Sequence, residues 1–310
     1  MRKFTVSTLI FFSVLFVILS IGIILPVTPR ASKYMLFAKN DKDALLKNEV
    51  SPRIIFIGGS NLSFGLNSQM IKDSLGLNPI NTAISASIGL MYMLDNTLVN
   101  IKSGDIVIIA PEYSHFYASN AYGGEELLRT ILDVSPLEMM KLSRQQLVNI
   151  FSFIPKYSFS KFRPNEYIGF SESNIYSVSS FNKFGDAVGH WNLPKEKFAP
   201  FESLGDDYNP TIIENLLIFR KKIEEKGGNL FISYPGYQDI SFDKSTAQIA
   251  KIESALKQNN FTILGNPQRY KIPDSLMFNT PYHLLKKGVD IRTNLLITDL
   301  KKNLNVSTKP

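Results

Sequence analysis

Three apolar runs of strand length restrict the fold of this chain more than any other feature. The apolar–polar alternation of a strand with one solvent-exposed face is absent from residues 53–57, 105–110 ("DIVIIA") and 229–233 ("NLFIS"). Such runs are typical of parallel strands that helices cover on both sides. Segments with helical spacing separate them. This alternation predicts right-handed crossovers and an α/β three-layer sandwich with a mostly parallel sheet of about five strands.

The other elements are predicted from periodicity and turn residues. Further strands are expected at 81–84 and 261–264, and helices at 66–75, 88–99, 212–226, 247–259 and 284–300. Between about 117 and 209 the alternation stops and aromatic residues become frequent. We interpret this stretch as an insertion of helices and loops that lies over the sheet, within an α/β domain at 53–304.

The amino terminus predicts a membrane anchor. After Met1-Arg2-Lys3, residues 4–25 contain no charge, and 22 residues are enough to span a bilayer as a helix. A cleaved signal peptide is the alternative, but its apolar region usually has only about 7–15 residues. We therefore expect an uncleaved signal-anchor at 1–27, with the amino end in the cytoplasm. A polar linker at 28–52, with one short helix around 33–37, follows it.

Composition excludes some classes of function. The chain has no cysteine, which excludes disulfides, thiolate metal sites and cysteine nucleophiles. Its net charge of +7 is compatible with an anionic membrane surface, an acidic polymer or an ordinary solvated surface. Nucleic acid is the weakest candidate partner for a domain outside the membrane. The three histidines show no metal-ligand spacing, so we predict no metal and no cofactor.

Ser60 is the first candidate for chemistry. The strand at 53–57 runs into Gly58-Gly59-Ser60, and sites in parallel sheets lie beyond the carboxyl ends of strands. Either Ser60 is a nucleophile, or it caps the next helix above a tight turn. A serine nucleophile needs a base, and the late His283 matches the chain order of α/β serine hydrolases. A structural cap is the alternative for His283, and structural roles are expected for His115 and His190.

The segments "FIGGSNLSFG" and "NTPYHLLKKGVDIRT" resemble the SGNH (GDSL-type) hydrolase superfamily. The similarity is greatest to its membrane-anchored branch, which works with cell-surface polysaccharide machinery such as alginate O-acetylation and teichoic acid D-alanylation. It covers 53 to about 116 and 210–300, and within the insertion only "FNKFGDAVGHW". The implied fold is SGNH-hydrolase or flavodoxin-like.

The resemblance also implies roles for single residues. Ser60 stands at the nucleophile, and its N–H is one oxyanion donor. In "NTAISASIGL", Ala86 or Ser87 replaces the glycine whose N–H is the second donor. The third block, "IIAPEYSHF", has no Asn donor, and Glu112 and Tyr113 occupy that strand end. Contacts with substrate are expected from Asn61, Glu112, Tyr113, Asp186 and His190.

The last block normally has an acid shortly before the histidine. Asn279 stands there, and an amide oxygen orients an imidazole without stabilising its charged form. Three possibilities remain open: a slow Ser-His-Asn site, an acid supplied by Asp274 or Glu112, or loss of catalysis.

The function implied is a serine esterase or O-acyltransferase acting on cell-surface polysaccharide, anchored in a bacterial inner (cytoplasmic) membrane by a single pass with its domain in the periplasm. The implied partners are the polysaccharide or acyl donor and a multi-spanning membrane O-acyltransferase. The alternative is a non-catalytic assembly or polysaccharide-binding component that kept the fold.

Overall fold

Seven strands form within residues 1–304, the part of the chain that the computed structural model describes. They are β1 (Arg53–Gly58), β2 (Asn78–Asn81), β3 (Ile106–Ala110), β4 (Asn229–Ser233), β5 (Tyr237–Gln238), β6 (Ile263–Leu264) and β7 (Lys271–Ile272). Five of them make a parallel sheet in the order β2-β1-β3-β4-β6, and β5 pairs with β7 separately. The predicted α/β fold with a five-stranded parallel sheet is confirmed.

One predicted strand is displaced. The strand expected at 81–84 is β2, which begins at Asn78 and ends at Asn81. The strand contains Pro79, and β2 lies at the edge of the sheet, where the missing N–H of a proline is tolerated.

Twelve α-helices lie in the same part of the chain. They are α1 (Arg2–Ile24), α2 (Ala38–Asn48), α3 (Ser60–Ser63), α4 (Ser68–Leu75), α5 (Leu90–Leu98), α6 (Glu125–Arg129), α7 (Arg144–Phe151), α8 (Ile154–Ser160), α9 (Thr211–Glu225), α10 (Asp239–Asp243), α11 (Thr246–Gln258) and α12 (Lys286–Asn303). The predicted single amino-terminal apolar helix is α1.

The sheet is buried on both faces. Alternate residues of β1 enter two different cores, because successive side chains of a strand point to opposite faces. Ile55 and Ile57 pack in the larger cluster, with α5, α9 and α11, whereas Ile54 and Phe56 pack with α4 and α12. This two-sided burial explains why β1, β3 and β4 read as continuous apolar runs.

The segment at 28–52 is more structured than the predicted linker. The short helix expected around 33–37 is two single turns, Ala31–Lys33 and Met35–Phe37, and α2 follows them. Leu46 of α2 is fully buried in the main core, so this segment is packed onto the domain. The insertion at 117–209 consists of helices, turns and loops.

A buried ion pair aligns β1 with β3. Arg53 at the start of β1 donates from Nε to Asp105 Oδ1 (2.8 Å), and its Nη2 pairs with the other carboxylate oxygen. Its remaining donors reach the carbonyl oxygens of Leu46 (2.5 Å) and Asn100 (2.8 Å). Both charged side chains are fully buried. The pair therefore ties α2, β1 and the beginning of β3 together.

We expect the Asp105→Leu variant to lose about 3–5 kcal/mol of stability, because it leaves the Arg53 guanidinium buried and uncompensated. Denaturant unfolding of the full chain in detergent micelles measures this. The double variant Arg53→Met/Asp105→Leu removes both charges and should lose less than the single variant. A double variant at least as unstable as the single one would contradict this account of the pair.

Candidate active site

The register of the central strands brings Ser60 and Glu112 together. Gly58 of β1 is paired with Ala110 of β3, so the residues two positions beyond them leave the sheet side by side. Ser60 Oγ donates to Glu112 Oε1 at 3.1 Å, and the Asn61 N–H donates to the same oxygen at 3.2 Å. Ser60 is the first residue of α3 and its side chain caps no helix. Its hydroxyl is half-buried beside a carboxyl group at the carboxyl edge of the sheet.

Gly59 is glycine because Glu112 and Ala86 crowd the position that a Cβ would occupy. A Cβ there would lie 2.7 Å from Glu112 Oε1 and 2.9 Å from the backbone N of Ala86. The Ala86 amide, predicted as an oxyanion donor, therefore borders the same small space as Ser60 and Glu112. His115 supports this arrangement by a 3.1 Å hydrogen bond between its Nε2 and the Ala86 carbonyl oxygen. His115 is buried and has the structural role that the sequence predicted.

Glu112 carries an unusual carboxyl group. Burial raises its pKa to about 7, although the Asn61 amide and the Ser60 hydroxyl favour the ionised form. It is therefore partly protonated near neutral pH. An ionised carboxylate beside Ser60 would repel the negative charge that develops on an ester carbonyl during attack, whereas a protonated one can donate to it.

Phe64, near the end of the segment "FIGGSNLSFG", packs against His283. The imidazole ring stacks on Phe64, with centroids 4.1 Å apart and planes within 13°. The neighbouring Leu284 N–H donates to the Phe64 carbonyl oxygen (3.3 Å), and His190 Nε2 bonds the Leu284 carbonyl oxygen (2.9 Å). His283 caps no helix, since Leu285 is the N-cap of α12.

Asn279 fixes the tautomer of His283. Its Nδ2 donates to the Tyr176 hydroxyl (2.9 Å) and faces a carboxylate oxygen of Glu196 (3.5 Å). Its Oδ1 must therefore be the atom that lies 2.9 Å from His283 Nδ1, and that ring nitrogen carries the proton. The other nitrogen, Nε2, has its lone pair free, as a general base requires.

Burial also weakens His283 as a base. Burial, with the nearby His190 as a smaller contribution, lowers the pKa of His283 to about 3. The ring is neutral at physiological pH, but proton transfer from a serine to so weak a base is unfavourable. Asn279 cannot correct this, because a neutral amide adds no charge to stabilise imidazolium.

Ser60 and His283 share no hydrogen bond within residues 1–304, and Phe64 is the residue that links them: its N–H donates to the Ser60 carbonyl oxygen (2.8 Å) and its ring stacks on His283. Ser60 and Phe64 are four residues apart, which places them on one face of a helical turn. The Ser60 hydroxyl bonds Glu112, and within residues 1–304 nothing bonds His283 Nε2. A Ser-His pair therefore requires the Ser60 hydroxyl to turn away from Glu112.

Four residues expected to contact substrate are buried, and those predictions need correction. The Asn61 side chain donates to the Ala110 carbonyl oxygen (3.0 Å), so only its backbone faces the site. Tyr113 lies in the core. Asp186 accepts from the side chains and amide around α4 and β2, and His190 supports the His283 loop. Packing therefore accounts for the segment "FGDAVGHW" as well as substrate binding does.

Asp274 is not the missing acid. Its carboxylate pairs with Lys195 and accepts from Gln238 Nε2 (2.6 Å), and these bonds lower its pKa. The hydrogen-bond partner of His283 Nδ1 is Asn279 instead. The sequence analysis did not identify Phe64 and Tyr176 as parts of the site. The position of Phe64, one helical turn after Ser60, was the available signal; nothing in the sequence singled out Tyr176.

A cleft of about 690 Å³ begins at Glu112 and Ala86. Its walls are rich in hydroxyl and amide side chains, and α7 and the residues after it form part of them. These polar lining residues are Ser87, Ser114, Ser119, Asn120, Asn149 and Ser152. The volume is in the range of small-molecule sites.

No protein-family model and no curated protein match this chain. The solved structures that are similar to it include the following two. Protein YxiM from Bacillus subtilis is 13% identical with a TM-score of 0.38, over 83% of this chain, which spans 58% of that protein. A candidate acylhydrolase from Bacteroides fragilis is 10% identical with a TM-score of 0.40, over 85% of this chain and 94% of that one. Neither similarity is close enough to assign a family or an activity.

The Asn279→Asp variant should raise the turnover of an activated ester by at least about tenfold, since a carboxylate at this position stabilises the imidazolium and a neutral amide does not. The new carboxylate would raise the pKa of His283 and stabilise its imidazolium. Steady-state kinetics on a small activated ester measures the change.

The matched control is Asn279→Asp/Glu196→Gln, which removes the carboxylate next to the new one. It should be at least as active as the single variant. Turnover unchanged or lowered in both variants would show that Asn279 does not limit His283.

Proposed function

We propose that this chain is a membrane-anchored SGNH-type serine esterase or O-acyltransferase that acts on cell-surface polysaccharide. The observation that carries the proposal is the His283 ring, which Asn279 holds in the general-base tautomer and which stacks on Phe64, four residues after Ser60. The motif resemblance at both residues supports the same assignment.

In this mechanism the Ser60 hydroxyl turns from Glu112 toward His283. Oγ attacks the acyl carbon as its proton passes to His283 Nε2, and the Ser60 and Ala86 N–H groups receive the oxyanion. Collapse breaks the ester bond, and His283 returns its proton to the departing alcohol. A sugar hydroxyl, or water, then gives its proton to His283 and attacks acyl-Ser60, which regenerates the serine.

The polar cleft supports a carbohydrate as acceptor. Serine hydroxyls and asparagine amides donate and accept hydrogen bonds, which suits sugar hydroxyl groups. Glu112 is the only carboxyl group among the residues that line the cleft, and the lining includes no Lys or Arg. A neutral polyol therefore fits these walls better than an anionic ligand.

Helix α1 supports the membrane anchor. It is long and apolar enough to cross a bilayer, with a mean hydropathy of 2.6, and only Gly22 in it is buried. Placed in an inner membrane with its basic end in the cytoplasm, α1 would put the domain in the periplasm. A multi-spanning membrane O-acyltransferase is the partner we propose for delivery of the acyl group.

A non-catalytic role in assembly or polysaccharide binding is the second candidate. The observation that favours it is the Ser60–Glu112 hydrogen bond, which occupies the proposed nucleophile, together with the weak base at His283. In this role the chain would bind polysaccharide in the polar cleft without transferring an acyl group.

A fluorophosphonate probe should label the full-length protein at Ser60, because the probe reacts with serines that a base activates. Labelling should disappear in Ser60→Ala and His283→Ala and persist in Ser63→Ala. Ser63 is the matched control because it lies on α3, buried, with its hydroxyl bound to the Ala83 carbonyl oxygen (2.6 Å). A folded protein that is not labelled would favour the non-catalytic role.

Esterase activity should fall as pH rises through about 7, because Glu112 then becomes ionised. The fall should approach about tenfold per pH unit above that pKa, as for a single essential protonated group. In Glu112→Gln the fall should be absent, since the amide stays neutral and can still donate. A pH–rate profile of both proteins tests this. Loss of all activity in Glu112→Gln would show instead that the carboxylate is the base.

A further inference from the structure

The insertion carries exposed aromatic side chains next to the proposed membrane helix. Phe151 at the end of α7 is 71% exposed, and Phe159 and Phe162 are 44% and 47% exposed. Exposed apolar groups that lie together on a protein surface usually mark an interaction site. The packing of α7 and α8 indicates what contacts these three residues.

Helix α8 packs directly on α1. A Cβ on Gly22 would lie 2.6 Å from the Ser158 backbone, so the small residue allows the two helices to cross closely. The half-buried positions of α1 repeat at Leu15, Ile18, Leu19 and Ile23, on the same face as Gly22. The contact therefore extends over the second half of α1.

The two helices run in the same direction. Gly22 lies against Ser158, and Lys161 Nζ donates to the Pro26 carbonyl oxygen (3.3 Å). Later in both segments, the Arg30 N–H donates to the Glu166 carbonyl oxygen (3.0 Å). The start of α8 and the nearby Phe151 therefore lie alongside the earlier half of this contact, near the middle of α1.

The length of α1 decides the depth of α8. The uncharged segment at 4–25 is about 33 Å long as a helix, and the hydrocarbon layer is about 30 Å thick. If residues 15–23 stood outside the bilayer against the domain, too little of the segment would remain to cross it. The second half of α1 is then in the outer leaflet, and α8 lies there with it.

The charges of the segment fit this location. Residues 137–165 contain five basic side chains and a single acidic one, Glu138. The basic residues are Lys141, Arg144, Lys156, Lys161 and Arg163. Lys161 is buried and paired with Asp133, and Lys156 pairs with Glu125. The remaining basic side chains can contact anionic headgroups of the outer leaflet.

We propose that the end of α7 and helix α8 are a membrane-inserted element, which lies in the outer leaflet beside α1 with Phe151, Phe159 and Phe162 in lipid. The same segment lines the active-site cleft through Asn149, Ser152 and Phe153. The cleft therefore opens at the membrane surface, and its acyl-bearing substrate is a membrane-resident ester that enters from the bilayer plane. The insertion of this element rests on the proposed anchoring by α1, and the class of substrate rests in addition on the proposed acyl chemistry.

Single-cysteine labelling tests the element, because the chain contains no other cysteine. Full-length Phe151→Cys, Phe159→Cys and Phe162→Cys, each carrying an environment-sensitive fluorophore, are placed in nanodiscs that contain phosphatidylglycerol. Lipids with nitroxides at different acyl depths and a water-soluble quencher then report the position of each label. Ile240→Cys is the matched control, since Ile240 is 45% exposed on α10 of the domain. Phe11→Cys, exposed on α1, reports whether the anchor is inserted.

The three phenylalanine positions should be quenched by lipid nitroxides and protected from the aqueous quencher, unlike position 240. The label at 151 should lie roughly 10 Å deeper than the label at 162, as helix rise along the parallel contact requires. Aqueous quenching at 151, 159 and 162 equal to that at 240, with position 11 in lipid, would overturn the proposal. Protection from both quenchers would overturn it too, because it would indicate a second protein copy as the occupant. Aqueous quenching at position 11 would overturn the anchor on which the proposal rests.

Discussion

The parallel pairing of β1 with β3 is the constraint on which the site depends. At one end, the buried Arg53–Asp105 pair sets the beginning of both strands. At the other end, the Gly58–Ala110 register places Ser60 and Glu112 side by side, within 3.1 Å. A shift of one residue in this register would move Glu112 to the wrong side of β3 and separate it from the serine. Burial of the strand ends then determines the chemistry of both side chains.

Burial has opposite consequences for the two titratable groups. It raises the pKa of Glu112 toward neutrality, which keeps part of the population uncharged where an oxyanion would form. It lowers the pKa of His283, which keeps the ring neutral and makes it a weak base. Asn279 orients this base without strengthening it. The site therefore provides only a small driving force for deprotonating the serine, which is compatible with the slow acyl transfer that we propose.

Much of the fold could be predicted from the sequence, because strands buried on both faces leave continuous apolar runs and helices leave a 3.6-residue period. Ser60, His283 and Asn279 were found because their motifs are local. The environment of the site was not predictable. The Ser60–Glu112 contact depends on strand register, and the burial of Asn61, Tyr113, Asp186 and His190 depends on contacts distant in sequence. The helix at Ala38–Asn48 was not predicted because most of its residues are polar, and few of them, such as Leu46, pack in the core.

The central claim, that Ser60 accepts an acyl group with His283 as base, is tested most directly by looking for the acyl-enzyme. The full-length protein is incubated with an activated acyl ester, quenched in acid, and measured by intact and peptide mass spectrometry. The account predicts one added acyl group, located on the peptide that contains Ser60 and absent when His283 is replaced by alanine. A folded protein that gains no acyl group, or gains it at another residue, would contradict the account.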